Sequence, residues 1–229
     1  FSSLNSLNGM SRFLTRTESK YDLIEASHAG TALSISCGLA FANNLNKNKD
    51  WVVGVIGDGS LVEGMSFEGL NYASKLKNLC IVVNDNEIAI DLNVGGINSI
   101  MTSNNCKITS KDFFSSLGFD HYYVEEGHDL DLLSKTFELV KRQKNPSIVH
   151  VKTVKGKGLE IAKKHPYKLH FSMPFKKDDL KTTSPVPVGE SFSSVASNTL
   201  YDLMKENSNI ICMTPGTPYA SSLNKIKEN

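Results

Sequence analysis

The stretch VVGVIGDGSLVEGMSFEGL (residues 52–70) decides how this chain is read. An apolar, β-branched run stops abruptly at Gly57-Asp58-Gly59, and a helix-like pattern follows. A short continuous apolar run of this kind, from Trp51 to Gly57, suits a parallel strand covered on both faces. From Glu63 to Leu76, the residues Met65, Phe67, Leu70, Tyr72, Ala73 and Leu76 allow an amphipathic helix. NLCIVVND (78–85) then reads as a second buried strand.

The same theme extends on both sides. HAGTALSISCGLAFANNL (28–45) is small and apolar throughout and reads as a buried helix. Downstream, a short helix leads to a strand around His121–Val124. Asp129 is suited to cap a helix from about Leu130 to Gln143, and SIVHVKT (147–153) is a third strand. Strands alternating with helices predict an α/β fold, a parallel sheet flanked by helices. Residues 1–20 read as loop. Residues 173–190, with Pro174, Pro185 and Pro187, read as a linker. SFSSVASNTLYDLMKEN (191–207) is helix-like and NIICMT (209–214) strand-like, the opening of a second α/β domain.

Composition sets bounds. A net charge of +1 over 229 residues implies no general attraction to nucleic acid or acidic lipid. No apolar run has the length of a membrane span. Cys37, Cys80, Cys106 and Cys212 lie far apart without a CxxC pair, which argues against a zinc site. The chain starts at Phe1 and ends in the polar run SSLNKIKEN, and it is expected to be a piece of a longer polypeptide.

The chemistry starts at Asp58. Parallel sheets place ligands at the carboxyl ends of their strands. A following helix offers free N–H groups to phosphate, and glycines admit close approach to the backbone. A bare carboxylate repels phosphate unless a divalent cation lies between them. Mg²⁺ combines one or two protein oxygens with substrate phosphate oxygens. The next strand ends in Asn84-Asp85-Asn86-Glu87, and Asn86 offers a side-chain carbonyl oxygen. Alone, GDG is most often a turn and NDN a loop. Paired at the ends of consecutive strands, they point to a metal–phosphate site. No GxGxxG follows the first strand, which weighs against a Rossmann nucleotide site.

GDG followed by NDN at this spacing resembles the thiamine diphosphate enzymes. GDGSLVEGMSFEGLNYASKLKNLCIVVNDNEIAI is similar to the diphosphate-binding domain of their transketolase branch. SHAGTALSISCGLAFA, NDNEIAIDLNVGG, FFSSLGF, EEGHDLDLL, VHVKTVKGKGLEIAKKHP and MTPGTP resemble, in order, segments of the 1-deoxy-D-xylulose-5-phosphate synthase family. The resemblance implies thiamine diphosphate and Mg²⁺ as cofactors. It implies Asp58, Asn86 and the backbone carbonyl of Ile88 as metal ligands. Gly57, Gly59 and Ser60, with Asn86, would face the diphosphate. Ser27, His28 and Ala29 match a segment that lies against the cofactor, with His28 the catalytic candidate. Leu159 stands at a cofactor-contacting place. His128, beside a helix-capping Asp, is read as structural. Lys155 and Lys157 either line the site entrance or form a solvated basic loop.

Three departures accompany the likeness. Ser27 replaces a Gly before His28. Leu159 replaces a Tyr and cannot hydrogen-bond. Gly96 and Phe113 are only 17 residues apart, where the family carries several tens more, so a mobile segment is expected near 100–112. The implied layout is a diphosphate-binding domain (1–172), a linker (173–190) and the start of a pyrimidine-binding domain (191–229). The glutamate that activates the cofactor would lie outside the chain, so these residues alone are expected to be inactive. The implied reaction is decarboxylation of pyruvate and condensation with D-glyceraldehyde 3-phosphate, by a homodimer. Its product serves isoprenoid and vitamin synthesis. A transketolase-like enzyme with another ketose donor and a non-catalytic relative are the alternatives. Asn/Lys-rich runs such as NNLNKNKD favour a plastid-type organelle (an apicoplast), with bacterial cytoplasm as the alternative.

Overall fold

The computed structural model describes the chain apart from residues 1, 2, 5, 103–106, 168, 171–174, 177–180, 182–188, 215, 216, 219, 220 and 229. It divides into two units. The first comprises residues 1–85 and 96–153, the second 86–95 and 154–229.

The first unit carries helix α1 (Ala32–Leu45), strand β1 (Val52–Gly57), the single turn α2 (Asp58–Leu61), α3 (Gly64–Ala73) and β2 (Leu79–Asp85). Then follow α4 (Gly96–Thr102), α5 (Ser110–Ser116), β3 (Asp120–Val124), α6 (Leu130–Val140) and β4 (Ser147–Lys152). The sheet is parallel throughout, in the order β1-β2-β4-β3. The expected α/β class and each strand of this unit are present. Asp129 caps α6 as expected, its Oδ1 accepting from the N–H groups of Asp131 and Leu132 at 2.9 and 3.0 Å. Thr109 and Asp112 form a capping box on α5.

Period-2 alternation divides the strands between two cores. On one face Ile56, Leu79, Ile81, Val83 and Ile148 pack with Leu33, Leu61, Leu70 and Phe114 from the helices. On the other, Cys80, Val82, Val149 and Val151 meet Val140, Leu133 and Phe137 of α6. Several expectations need correction here. β1 is not covered on both faces: Val53 is 52% and Val55 62% exposed, because β1 is the sheet edge on the face where α6 packs. Residues 28–45 are not helical or buried throughout. The helix begins at Ala32; Leu33, Ser36, Cys37 and Ala40 are buried in it, and Ala32 packs half-buried against the same core. Phe41 and Leu45 are exposed.

Burial fixes the thiol chemistry. The Cys80 thiol is pushed up to about 12 by desolvation, and Cys37 is raised for the same reason. Both are structural, since the thiolate is the reactive form. Iodoacetamide at pH 8 is expected to leave Cys37 and Cys80 unlabelled in the folded protein and to label both in denaturant, as read by peptide mapping. Labelling of Cys80 before unfolding would contradict this core.

His121, on β3, stacks against Phe114 with ring centroids 5.5 Å apart. Its Nε2 is buried with no hydrogen-bond partner among the described residues. Desolvation chiefly, then the neighbouring His150 and Lys111, bring its pKa down to about 4 from 6.5. Above pH 6.5 both folded and unfolded chains hold it neutral, and the full stability is present. Between pH 6.5 and 4 the unfolded chain takes up a proton that the folded one refuses, so stability falls with pH. After discounting for partial exposure the loss is about 2 kcal/mol. Urea titrations at pH 7 and pH 4.5 are expected to show it in the native chain and not in His121→Phe. An equal pH dependence in both would contradict the assignment.

The second unit holds α7 (Glu160–Lys164), α8 (Phe192–Glu206) and α9 (Asn224–Glu228). Ser191 caps α8, accepting from the N–H of Ser194 at 3.1 Å. Residues 209–214 are not a strand. Ile211 is 80% and Met213 91% exposed, and a strand forms only against a neighbouring strand, which they lack among the described residues. Most of the expected linker lies outside the described residues. No described helix is long and apolar enough to cross a membrane.

Candidate metal and diphosphate site

Gly57 ends β1 in register with Asn84 of β2, so the two strand ends lie at one edge of the sheet. Asp58 follows, 7% exposed, and opens α2. Its Oδ1 accepts the N–H of Gly59 at 2.6 Å. That N–H, expected to face a diphosphate, is therefore directed to Asp58 here. A Cβ added to Gly57 would meet nothing within 4 Å, so there is open space beside the strand end. Ser60 is half-buried, and its carbonyl accepts from Ser66 Oγ at 2.6 Å.

The Ser27-His28-Ala29 turn precedes α1 in the same unit and is exposed. His28 Nδ1 lies 2.6 Å from the Ala29 carbonyl and 4.0 Å from Glu63 Oε2. No sequence motif marks Glu63 as a site residue. Gly30 explains its approach: with φ at +77°, a Cβ there would stand 2.8 Å from Glu63 Oε2. Ser66 Oγ also reaches the Gly30 carbonyl at 3.4 Å. The structure thus brings the His28 turn and the segment after Asp58 together, through Gly30, Glu63 and Ser66.

Asn86, Ile88 and Leu159 belong to the second unit and are described there. Asn86 is half-buried, and its Oδ1 accepts the N–H of Ile88 at 3.3 Å. The Ile88 carbonyl accepts from Lys155 Nζ at 3.1 Å, and the Ala89 carbonyl accepts from the same ammonium. Lys155 is therefore not simply a solvated basic residue. It also lies 3.0 Å from His170 Nδ1. Burial, then Lys155, holds the His170 imidazole below its ordinary range. Leu159 stands at the N-terminus of α7, half-buried, its N–H donating to the Gly156 carbonyl at 3.0 Å.

Asp58 offers a carboxylate oxygen in the first unit, and Asn86 and Ile88 offer an amide oxygen and a backbone carbonyl in the second; each is a donor type that a hard cation takes. Among the described residues no group of three or more His, Cys, Asp or Glu side chains gathers to hold a metal.

A family model described as 1-deoxy-D-xylulose-5-phosphate synthase matches residues 1–111 and 102–153. The chain belongs to the 1-deoxy-D-xylulose-5-phosphate synthase family. The 1-deoxy-D-xylulose-5-phosphate synthase of Syntrophus aciditrophicus is 33% identical over 269 residues, covering 100% of this chain and 41% of that protein. The synthase of Listeria monocytogenes is 34% identical, covering 98% of this chain and 39% of that protein. The chain therefore spans about two-fifths of the length of these synthases. The two stretches matched by the family model overlap at 102–111. A transketolase from Leishmania mexicana aligns in structure with a TM-score of 0.45 at 23% identity, over 56% of this chain and 20% of that one.

Proposed function

We propose that the polypeptide containing this chain is a thiamine diphosphate- and Mg²⁺-dependent 1-deoxy-D-xylulose-5-phosphate synthase. Pyruvate loses CO₂, and its two-carbon remainder joins D-glyceraldehyde 3-phosphate. One observation carries the reading: a buried carboxylate at the end of β1, beside the open space at Gly57. Bound thiamine diphosphate supplies the electron sink that decarboxylation needs.

The chain's own residues bind and orient. Asp58, Asn86 and the Ile88 carbonyl hold Mg²⁺. Gly57, Gly59, Ser60 and Asn86 face the diphosphate, while Ser27, Ala29 and Leu159 pack near the cofactor. His28 holds or moves a proton. In the neutral imidazole, an Nδ1–H directed at the Ala29 carbonyl leaves the lone pair on Nε2. We assign residues 1–172 to a diphosphate-binding domain, 173–190 to a linker and 191–229 to the start of a pyrimidine-binding domain. We propose a homodimer, working in bacterial cytoplasm or a plastid-type organelle, and supplying isoprenoid and thiamine synthesis.

The test is turnover of pyruvate and D-glyceraldehyde 3-phosphate by the full polypeptide. Product that requires both thiamine diphosphate and Mg²⁺ is expected. Use of a ketose phosphate donor in place of pyruvate would instead identify a transketolase. Leu159, whose side chain offers no hydrogen bond, favours one other reading, a non-catalytic relative. A folded, cofactor-saturated protein that makes no product from either donor would establish it.

A further inference from the structure

The proposed chemistry leaves unused a polar cluster at the end of β2. Asp85 is 1% and His150 0% exposed. They are diagonal neighbours on one face of the sheet, β2 to β4, and His150 Nε2 lies 2.9 Å from Asp85 Oδ2. Lys152 Nζ is 3.5 Å from the same oxygen. One residue past β4, Thr153 Oγ1 donates to Asn84 Oδ1 at 2.6 Å, and its N–H donates to the Asp85 carbonyl at 2.8 Å. The last two residues of β2 are thus fastened to β4 by both side chains and backbone.

A buried ion pair is weak ground for stability. Desolvating a carboxylate is costly, and apolar residues of similar volume often replace a buried ion pair with no loss. A strand end in an otherwise apolar sheet gains something else from such a cluster, a fixed position. The chain runs from Asp85 directly into Asn86, the amide assigned above to the metal.

We propose that Asp85, His150 and Thr153 are positioning residues for Asn86. They lock the end of β2, so that the metal-ligating amide leaves the sheet at one defined place. The inference rests on the reading of Asn86 as a metal ligand. Partners outside the ligand set typically change metal affinity 10- to 100-fold when removed.

The test uses the full polypeptide with thiamine diphosphate and Mn²⁺ as the probe, with free Mn²⁺ read by electron paramagnetic resonance. Thr153→Val removes the hydroxyl at nearly constant volume, and Thr153→Ser restores it. Thr153→Val is expected to weaken Mn²⁺ binding about 10-fold, with its thermal midpoint near that of the native protein. Thr153→Ser is expected to recover most of that affinity. Asp85→Asn is expected to weaken binding at least as much, and the Thr153 pair carries the test if Asp85→Asn does not fold. Native affinity in folded Thr153→Val overturns the positioning role while leaving the metal site standing. A native protein that binds no Mn²⁺ overturns the metal assignment and this inference together.

Discussion

Asp58→Ala in the full polypeptide is expected to lower kcat/KM for deoxyxylulose phosphate formation by roughly 1,000-fold or more. Residues one step outside a metal's ligand set already cost 10- to 100-fold, and Asp58 is the only carboxylate assigned to the set. The variant should stay folded. Asp58 Oδ1 accepts the N–H of its own chain neighbour Gly59, and losing a hydrogen bond of this kind costs about 1 kcal/mol. Kinetics at saturating thiamine diphosphate, beside circular dichroism, check this. A folded Asp58→Ala enzyme within 10-fold of native would remove the metal from the account.

The second large effect is on the scaffold. Gly69 lies in α3 where that helix crosses α1. A Cβ built there would stand 2.7 Å from Leu33 Cβ and 3.2 Å from the backbone nitrogen of Ser34. Neither atom is the far end of a flexible side chain, so the helices themselves must separate. Cys37 Sγ lies 3.5 Å from the Gly69 carbonyl and ties the same crossing. Overpacking typically costs 1–3 kcal/mol, and with so little slack Gly69→Val is expected to lose about 3 kcal/mol. The two helices also lead out of the His28 turn and the Asp58 segment, so cofactor affinity should fall with stability. Urea unfolding and calorimetric titration with thiamine diphosphate measure both. Native stability in Gly69→Val would contradict the α1–α3 contact.

Much of this was legible in the sequence, for local reasons. Apolar runs ending at Gly57 and Asp85 marked the strands, and Asp129 marked the start of α6, because each signal spans a few residues. Strand order was not legible. β4 sits between β2 and β3, and no local pattern encodes which strands pair. The exposure of Val53 and Val55 follows from that order. Residues 209–214 have the composition of a strand, yet composition supplies no partner. Asp58, Asn86 and His28 are proposed for the site from motifs alone. The Asp85–His150 contact joins residues 65 apart, and its only sequence trace is a histidine interrupting the apolar run SIVHV. Glu63 left none, since its role depends on the left-handed turn at Gly30.

On the proposed reading the strand-end carboxylate holds a magnesium ion and the magnesium holds a diphosphate. Calorimetric titration of the intact polypeptide with thiamine diphosphate, with Mg²⁺ and then with excess chelator, tests it most directly. Saturable binding that collapses by about 100-fold or more when the metal is removed is expected. Binding of equal strength with and without Mg²⁺, or none by the folded protein in its presence, would contradict it.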